Sequence, residues 1–189
     1  GDRASLAAIE FAFADDEPNV RCAAVEAAGG FHSSDAGEDA LRAAVQSRLR
    51  EDSDEDVRSA AASALPSMAK LGDREVIGAL LCALAGDESP DVRLAAARSL
   101  SAIAEKEDAD VIRAYGRRLG DDDNDNVRGA LADALSGLAG SEVAQAVVEP
   151  LLAHSEHGVR RHAADTFARV VTVEDPRAAG LLASLLADG

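Results

Sequence analysis

Three of the four histidines, His154, His157 and His162, fall in one short stretch beside Arg160 and Arg161. Imidazoles bind divalent metals and titrate near neutral pH. This cluster therefore admits a metal site, a contact for an acidic partner, a pH-sensitive loop, or simply a diverged structural unit. Its spacing matches no strong metal motif, and no cysteine or paired carboxylate sits at helical spacing to complete a ligand set, so no metal or other cofactor is expected. The run Asp121-Asp122-Asp123-Asn124-Asp125-Asn126 has the look of a calcium loop. It lacks the glycine at the sixth position and the glutamate at the twelfth that such a loop needs. Like Glu51–Asp56, it reads as a solvated helix start, where acids suit the positive end of the dipole. Cys22 and Cys82 are far apart and read as packing or surface thiols rather than nucleophiles. No Ser-His-Asp context, phosphate-binding glycine loop or zinc-protease helix is present, so no catalytic residue is assigned and the chain is read as non-enzymatic.

These residues must be positioned by a chain of 189 residues with net charge −16, no tryptophan and abundant alanine. The acidity disfavours a nucleic-acid partner and an anionic membrane surface, both of which require clustered Lys and Arg. No apolar run approaches the roughly 18 residues of a bilayer span, and no signal peptide is visible. Two cysteines make no disulfide framework and suit a reducing compartment, so a cytoplasmic location is expected. Lysine occurs only at Lys70 and Lys106, and Asp outnumbers Glu. That balance suits a halophilic source, and a GC-rich genome gives the same bias.

An internal period organises the chain. Val-Arg recurs at Val20-Arg21, Val57-Arg58, Val92-Arg93, Val127-Arg128 and Val159-Arg160, in steps of 37, 35, 35 and 32 residues. With each Val as origin, apolar residues follow at offsets of four, eight and eleven, for example Ala96, Leu100 and Ile103 after Val92. Those offsets trace one face of a helix. Pro18 and Pro90 lie two residues before a Val, where a helix can begin, and Asp54, Ser89 and Asn124 stand as N-caps. A second helix, B, is thus predicted at each Val-Arg, after a loop and an apolar helix A such as Val76–Ala85 or Val111–Leu119. Pro66 and Pro150 predict kinks rather than breaks. Gly29-Gly30 and Gly137 to Gly140 predict helix C-caps. Each hairpin cannot bury its own apolar face, so the hairpins must stack, with small residues such as Ala95-Ala96 allowing close approach.

An Asp five residues before Val, an invariant Arg after it, small residues next and Leu eight residues after Val make a pattern that resembles HEAT repeats. It resembles in particular the short HEAT-like repeats named after phycocyanobilin lyases. The resemblance spans essentially the whole chain. It implies an all-α, right-handed α-solenoid of about five hairpins plus a terminal helix. It also implies a ladder of hydrogen bonds between successive repeats, made by Asp15, Asp52, Asp87 and Asp122 with Arg21, Arg58, Arg93, Arg128 and Arg160. In the fifth unit His154 replaces the ladder aspartate. Bilin lyases and di-iron hydroxylases share the wider fold, but no pigment pocket is marked here and no His-Glu pair occurs.

The organisation read from this is one HEAT-like domain over 1–189, with units at about 2–33, 39–70, 73–105, 108–139 and 141–171 and a terminal helix at 176–187. A start at Gly1 and an apolar final helix point to a slice of a longer solenoid or to self-association through that helix. The B helices of such solenoids line the concave side. Offsets two, six and ten should face away from the stacked core, and Leu94, Arg98, Asp133, Arg161, Asp165 and Arg169 are the candidate contacts for a protein partner. The expected function is a protein–protein interaction scaffold or adaptor. A bilin-lyase-like ligand handler and a homotypic assembly unit are the alternatives.

Overall fold

The computed structural model describes residues 2–31, 37–138 and 141–170, and among them every regular element is helical. Two compact units divide the chain, Gly1–Ala104 and Glu105–Gly189. The first contains α1 (Asp2–Ala12), α2 (Pro18–Gly29), α3 (Gly37–Glu51), α4 (Glu55–Ala64), α5 (Arg74–Gly86) and α6 (Pro90–Ile103). The second contains α7 (Ala109–Asp121), α8 (Asp125–Leu138), α9 (Ser141–Val148) and α10 (His157–Val170). The helix expected at 176–187 and the loop at 32–36 lie outside the described residues.

Odd-numbered helices are the A helices and even-numbered ones the B helices. In the first unit α1, α3 and α5 each pack on the B helix that follows, while α2, α4 and α6 pack side by side. In the second, α7 pairs with α8, α9 with α10, and α8 lies against α10. This is the stacked-hairpin arrangement of an α-solenoid, and the sequence offsets explain it. Val57, Val92, Val127 and Val159 are fully buried, as are Ala61, Ala96, Leu131 and Ala163 four residues on. Leu65, Leu100 and Leu135 at offset eight are likewise fully buried. Each such Leu or Val removed from water contributes roughly 1.5–3 kcal/mol. In the first hairpin Val20 is exposed instead.

Helix starts follow the predicted chemistry with one correction. Asp54 accepts from the N–H groups of Asp56 (3.0 Å) and Val57 (3.3 Å), and Asn124 from those of Asn126 (2.9 Å) and Val127 (3.2 Å). Ser89 occupies the N-cap of α6, but its hydroxyl is buried and makes no hydrogen bond. Asp87 holds the turn there by accepting from Ser89 N–H at 2.9 Å. A second correction concerns the prolines. Pro66 and Pro150 do not kink a continuing α-helix. They lie in tighter 3-10 turns, Leu65–Met68 and Glu149–Ala153, that follow α4 and α9. Proline has no N–H for the α ladder and its ring clashes one turn back, so the tighter turn takes over.

The glycines expected to cap helices divide. Gly30 is the C-cap of α2, in right-handed backbone (φ −92°) with its N–H on Glu26 O at 3.1 Å, whereas Gly137 lies inside α8 and Gly140 lies outside the described residues. Among the described residues the left-handed positions are Gly72 (φ 77°) and Glu107 (φ 64°), each in the turn from a B helix to the next A helix. There the backbone N–H reaches the end of the following B helix: Gly72 donates to Ile103 O at 2.7 Å, and Glu107 to Leu138 O at 2.9 Å. The next residue, Asp73 or Asp108, then caps the A helix.

Candidate interaction face of the B helices

The Val-Arg arginines set the register of the B helices. Each sends Nη1 back to a carbonyl six residues earlier in its own loop. Arg21 donates to Asp15 O (2.9 Å), Arg58 to Asp52 O (3.0 Å), Arg93 to Asp87 O (3.0 Å), Arg128 to Asp122 O (2.8 Å) and Arg160 to His154 O (2.8 Å). The other edge of the guanidinium reaches the next hairpin. Arg21 grips Asp52 through Nε (2.9 Å) and Nη2 (2.7 Å), and Arg58 grips Asp87 through Nε (2.8 Å) and Nη2 (3.0 Å). The loop aspartate also accepts the N–H two residues on, as Asp52 does from Asp54 at 3.1 Å. One carboxylate thus shapes its own loop and ties down the preceding repeat. Burial pushes the Asp52 carboxyl up, but hydrogen bonds from Arg21 and Asp54 outweigh it and hold the group below its ordinary range. Arg21 and Arg58 are raised in turn by their hydrogen bonds to Asp52 and Asp87. Removing one partner of a buried pair like these costs about 3–5 kcal/mol.

The junction between α8 and α10 departs from this scheme because His154 replaces the aspartate. Its Nδ1 accepts from Glu156 N–H at 3.1 Å, reproducing the turn-forming half of the aspartate's work. It offers no carboxylate for Arg128. That guanidinium turns to Glu156 Oε1 (2.7 Å) and Asp125 Oδ1 (3.3 Å) instead, and its buried Nε makes no hydrogen bond. A Cβ on Gly158 would stand 2.9 Å from Arg128 Nη2, so the smallest residue makes room for the displaced side chain.

The strip at offsets two, six and ten is exposed or half-exposed throughout the described residues. In the first unit it forms two open grooves. One, of about 590 Å³, runs between α2 and α4 and is lined by Cys22, Glu26, Ser59, Ser63 and Ser67 among others. The second, of about 580 Å³, runs between α4 and α6, with Asp91, Leu94, Arg98 and Ser99 on its far wall. Both share Asp56, Ser59 and Ser63, so they are continuous across α4. The field in the first groove is negative: burial raises the Cys22 thiol, and the carboxylates of Asp54, Asp56 and Glu26 raise it further.

The sequence profile of HEAT repeats matches residues 5–65 and 44–136. The chain belongs to the HEAT-repeat family. The crystal structure of YibA from Escherichia coli superposes with a TM-score of 0.69 at 18% identity, covering 100% of this chain and 65% of that one. The likeness shows the fold. None of the curated proteins matches in sequence.

The HEAT scaffold separates the six candidate partner residues into two groups. Leu94 and Arg98 line the second groove of the first unit. Asp133, Arg161, Asp165 and Arg169 lie in the second unit and engage one another or near neighbours. Arg169 bonds Asp133 and also pairs with Asp165 at 2.7 Å. Arg161 pairs with Asp125 at 2.6 Å, and His162 Nε2 lies 3.0 Å from the same carboxylate. Hydrogen bonds from His162 and Arg161, with that of Arg128, hold Asp125 at about 2. The basic end read from the sequence is therefore largely neutralised by acids of α8 and α10. The histidines do not converge: His154 serves its turn and His162 its carboxylate, and no metal-binding trio of His, Cys, Asp or Glu exists among the described residues. Nor is any described helix long and apolar enough to cross a membrane.

Two features escaped the sequence reading. The turn clamp at Gly72 and Glu107 left only a weak trace, an Asp one residue later in both units. The uncompensated acids of the first unit were visible as residues, but their lack of partners requires the packed helices.

Proposed function

We propose that this HEAT-repeat protein is a non-enzymatic interaction module that receives a protein partner along its B-helix face. The observation that carries the reading is the continuous pair of grooves across α2, α4 and α6, floored by small side chains. A trough of Ser, Ala and Gly admits a backbone closely and suits an extended segment or another helix. The two-helix hairpins and steps near 35 residues support the short HEAT-like subclass resembling that of phycocyanobilin lyases.

The test is partner capture with three forms of the full chain. Ser63→Trp fills both grooves. Cys82→Trp places the same bulk on α5, where Cys82 is exposed beside Leu49, Arg50 and Ala79. A specific partner held by wild type and Cys82→Trp but lost by Ser63→Trp is the expected outcome. Loss in Cys82→Trp alone overturns the assignment of the face. Charge reversal at Arg161 or Arg169 is a poorer probe, since it also breaks ion pairs within the fold.

A second reading, homotypic stacking, has one observation behind it. Phe11 is 80% exposed and Val20 38%, although the valines at the other four Val-Arg positions are fully buried. A second copy finds a partial stacking surface there. A sedimentation coefficient that rises with concentration for wild type, and not for Phe11→Asp, is the result this reading requires.

A further inference from the structure

We propose that the B-face grooves of the first unit select an extended cationic segment, with two Arg or Lys side chains three residues apart seated on Asp56 and Asp91. The inference rests on the interaction-module reading above and adds the chemistry of the partner.

Four observations lead to it. First, Glu26, Asp56 and Asp91 line the grooves, and among the described residues none of them makes an ion pair. The exposed acids at the B face of the second unit are instead all engaged, Asp125 by Arg161 and Arg128, and Asp133 and Asp165 by Arg169. Second, the ladder arginines cannot supply the missing cations, because Arg21 and Arg58 are already gripped by Asp52 and Asp87. Third, Ser99 lines the second groove and sets a hydroxyl, both donor and acceptor, beside Asp91 and Arg98 on its wall. A hydroxyl there can bond the backbone of a segment laid in the groove. Fourth, Arg98 stands two helical turns beyond Asp91 on the same wall. It repels a cation placed there and so fixes the register.

Spacing follows from geometry. Asp56 and Asp91 hold the same place on neighbouring helices, since each directly precedes its Val-Arg. Packed helices lie about 8–10 Å apart. A polyproline-type strand advances about 9 Å in three residues and returns to the same face. Two basic side chains at positions i and i+3 therefore meet both carboxylates, whereas adjacent basic residues meet only one.

The experiment is fluorescence anisotropy on the full chain, with a labelled Gly/Pro peptide carrying an Arg-Pro-Pro-Arg block and an isomer whose two arginines are adjacent. Asp56→Asn and Asp91→Asn should each weaken binding of the spaced peptide about fivefold, and together about twenty-fivefold. Arg98→Glu should tighten it. Glu75→Gln/Glu142→Gln, which removes two exposed charges from A helices, should leave it unchanged. Equal losses from the groove pair and the control pair overturn the proposal, because the peptide then senses only net charge. Equal affinity for both peptides overturns the spacing. If a protein partner is lost with Ser63→Trp but kept by Asp56→Asn/Asp91→Asn, the cationic chemistry falls while the B-face reading stands. A partner kept by Ser63→Trp removes the B-face reading itself.

Discussion

His154→Asp should stabilise the protein. In the first unit the same loop position carries Asp52 and Asp87, and each receives Nε and Nη2 of the preceding arginine. At His154 the corresponding Nε of Arg128 is buried and unbonded. An unsatisfied buried donor costs about 1–3 kcal/mol. The new carboxylate must itself be desolvated, and Glu156 already supplies part of the counter-charge at 2.7 Å. The net gain expected is therefore at the low end, about 1–2 kcal/mol, or a Tm rise of roughly 2–8 °C for a chain of this size. Urea unfolding followed by circular dichroism reads the midpoint, with the slope unchanged. The gain must vanish in an Arg128→Lys background, because an ammonium cannot make the two-point grip. A gain of equal size in that background, or no gain at all, refutes the reasoning that a carboxylate at this position acts through the arginine.

Other perturbations bear on the same packing. Ala96→Leu inserts three carbons at a fully buried position of α6 and should cost about 1–3 kcal/mol in chemical denaturation. Glu107→Gly should stabilise by about 0.5–1 kcal/mol, since Glu107 holds a left-handed conformation that Gly72 adopts freely in the equivalent turn. Stability should also fall in acid. Asp125 is held at about 2 in the folded chain against an ordinary 3.8, and Asp52 is likewise lowered. The unfolded chain takes up these protons first as pH drops, so their contribution is complete above about pH 4 and is lost toward about pH 2. A urea midpoint that is flat across that range, in wild type but not in Asp52→Asn, counts against the assignment.

The hairpins were legible because their signal is local and repeated. An apolar stripe at offsets zero, four, eight and eleven admits one helical face, and five copies fix the phase. The arginine and the loop aspartate were legible as a pair only through family resemblance, since nothing in spacing alone says that Arg21 reaches Asp52 across thirty-one residues. The two proline turns were misjudged because a helical pattern continues through Pro66 and Pro150 while the hydrogen-bonding period changes from four to three. The strip on the B face was predicted as a direction. Which of its charges are spent inside the fold is a property of neighbouring helices: Arg161 and Asp125 lie thirty-six residues apart in sequence.

One replaced residue contributes to the contrast between the units, alongside Arg161, His162 and Arg169, which pair with the second unit's acids. With an aspartate in the loop, the arginine's charge is consumed inside the stack, and acids at the start of the B helix are left to the solvent. That is the state of Arg58 with Asp87 and of the unpaired Asp56 beside it. With His154 in the loop, Arg128 turns outward to Glu156 and Asp125, and Arg161 and His162 close on the same carboxylate. With Arg169 on Asp133 and Asp165, the second unit engages its B-face acids within the fold, whereas the first presents Asp56 and Asp91 in its grooves. A cationic segment meets open carboxylates on α4 and α6, and on α8 it meets an aspartate already held by two arginines. His154→Asp separates the two effects, for it returns Arg128 to the stack and should leave Asp125 less fully compensated. Ladder and surface meet at Arg128: the loop residue decides whether that guanidinium is spent inside the stack or on Glu156 and Asp125, while Arg161 and His162 hold Asp125 from the next B helix.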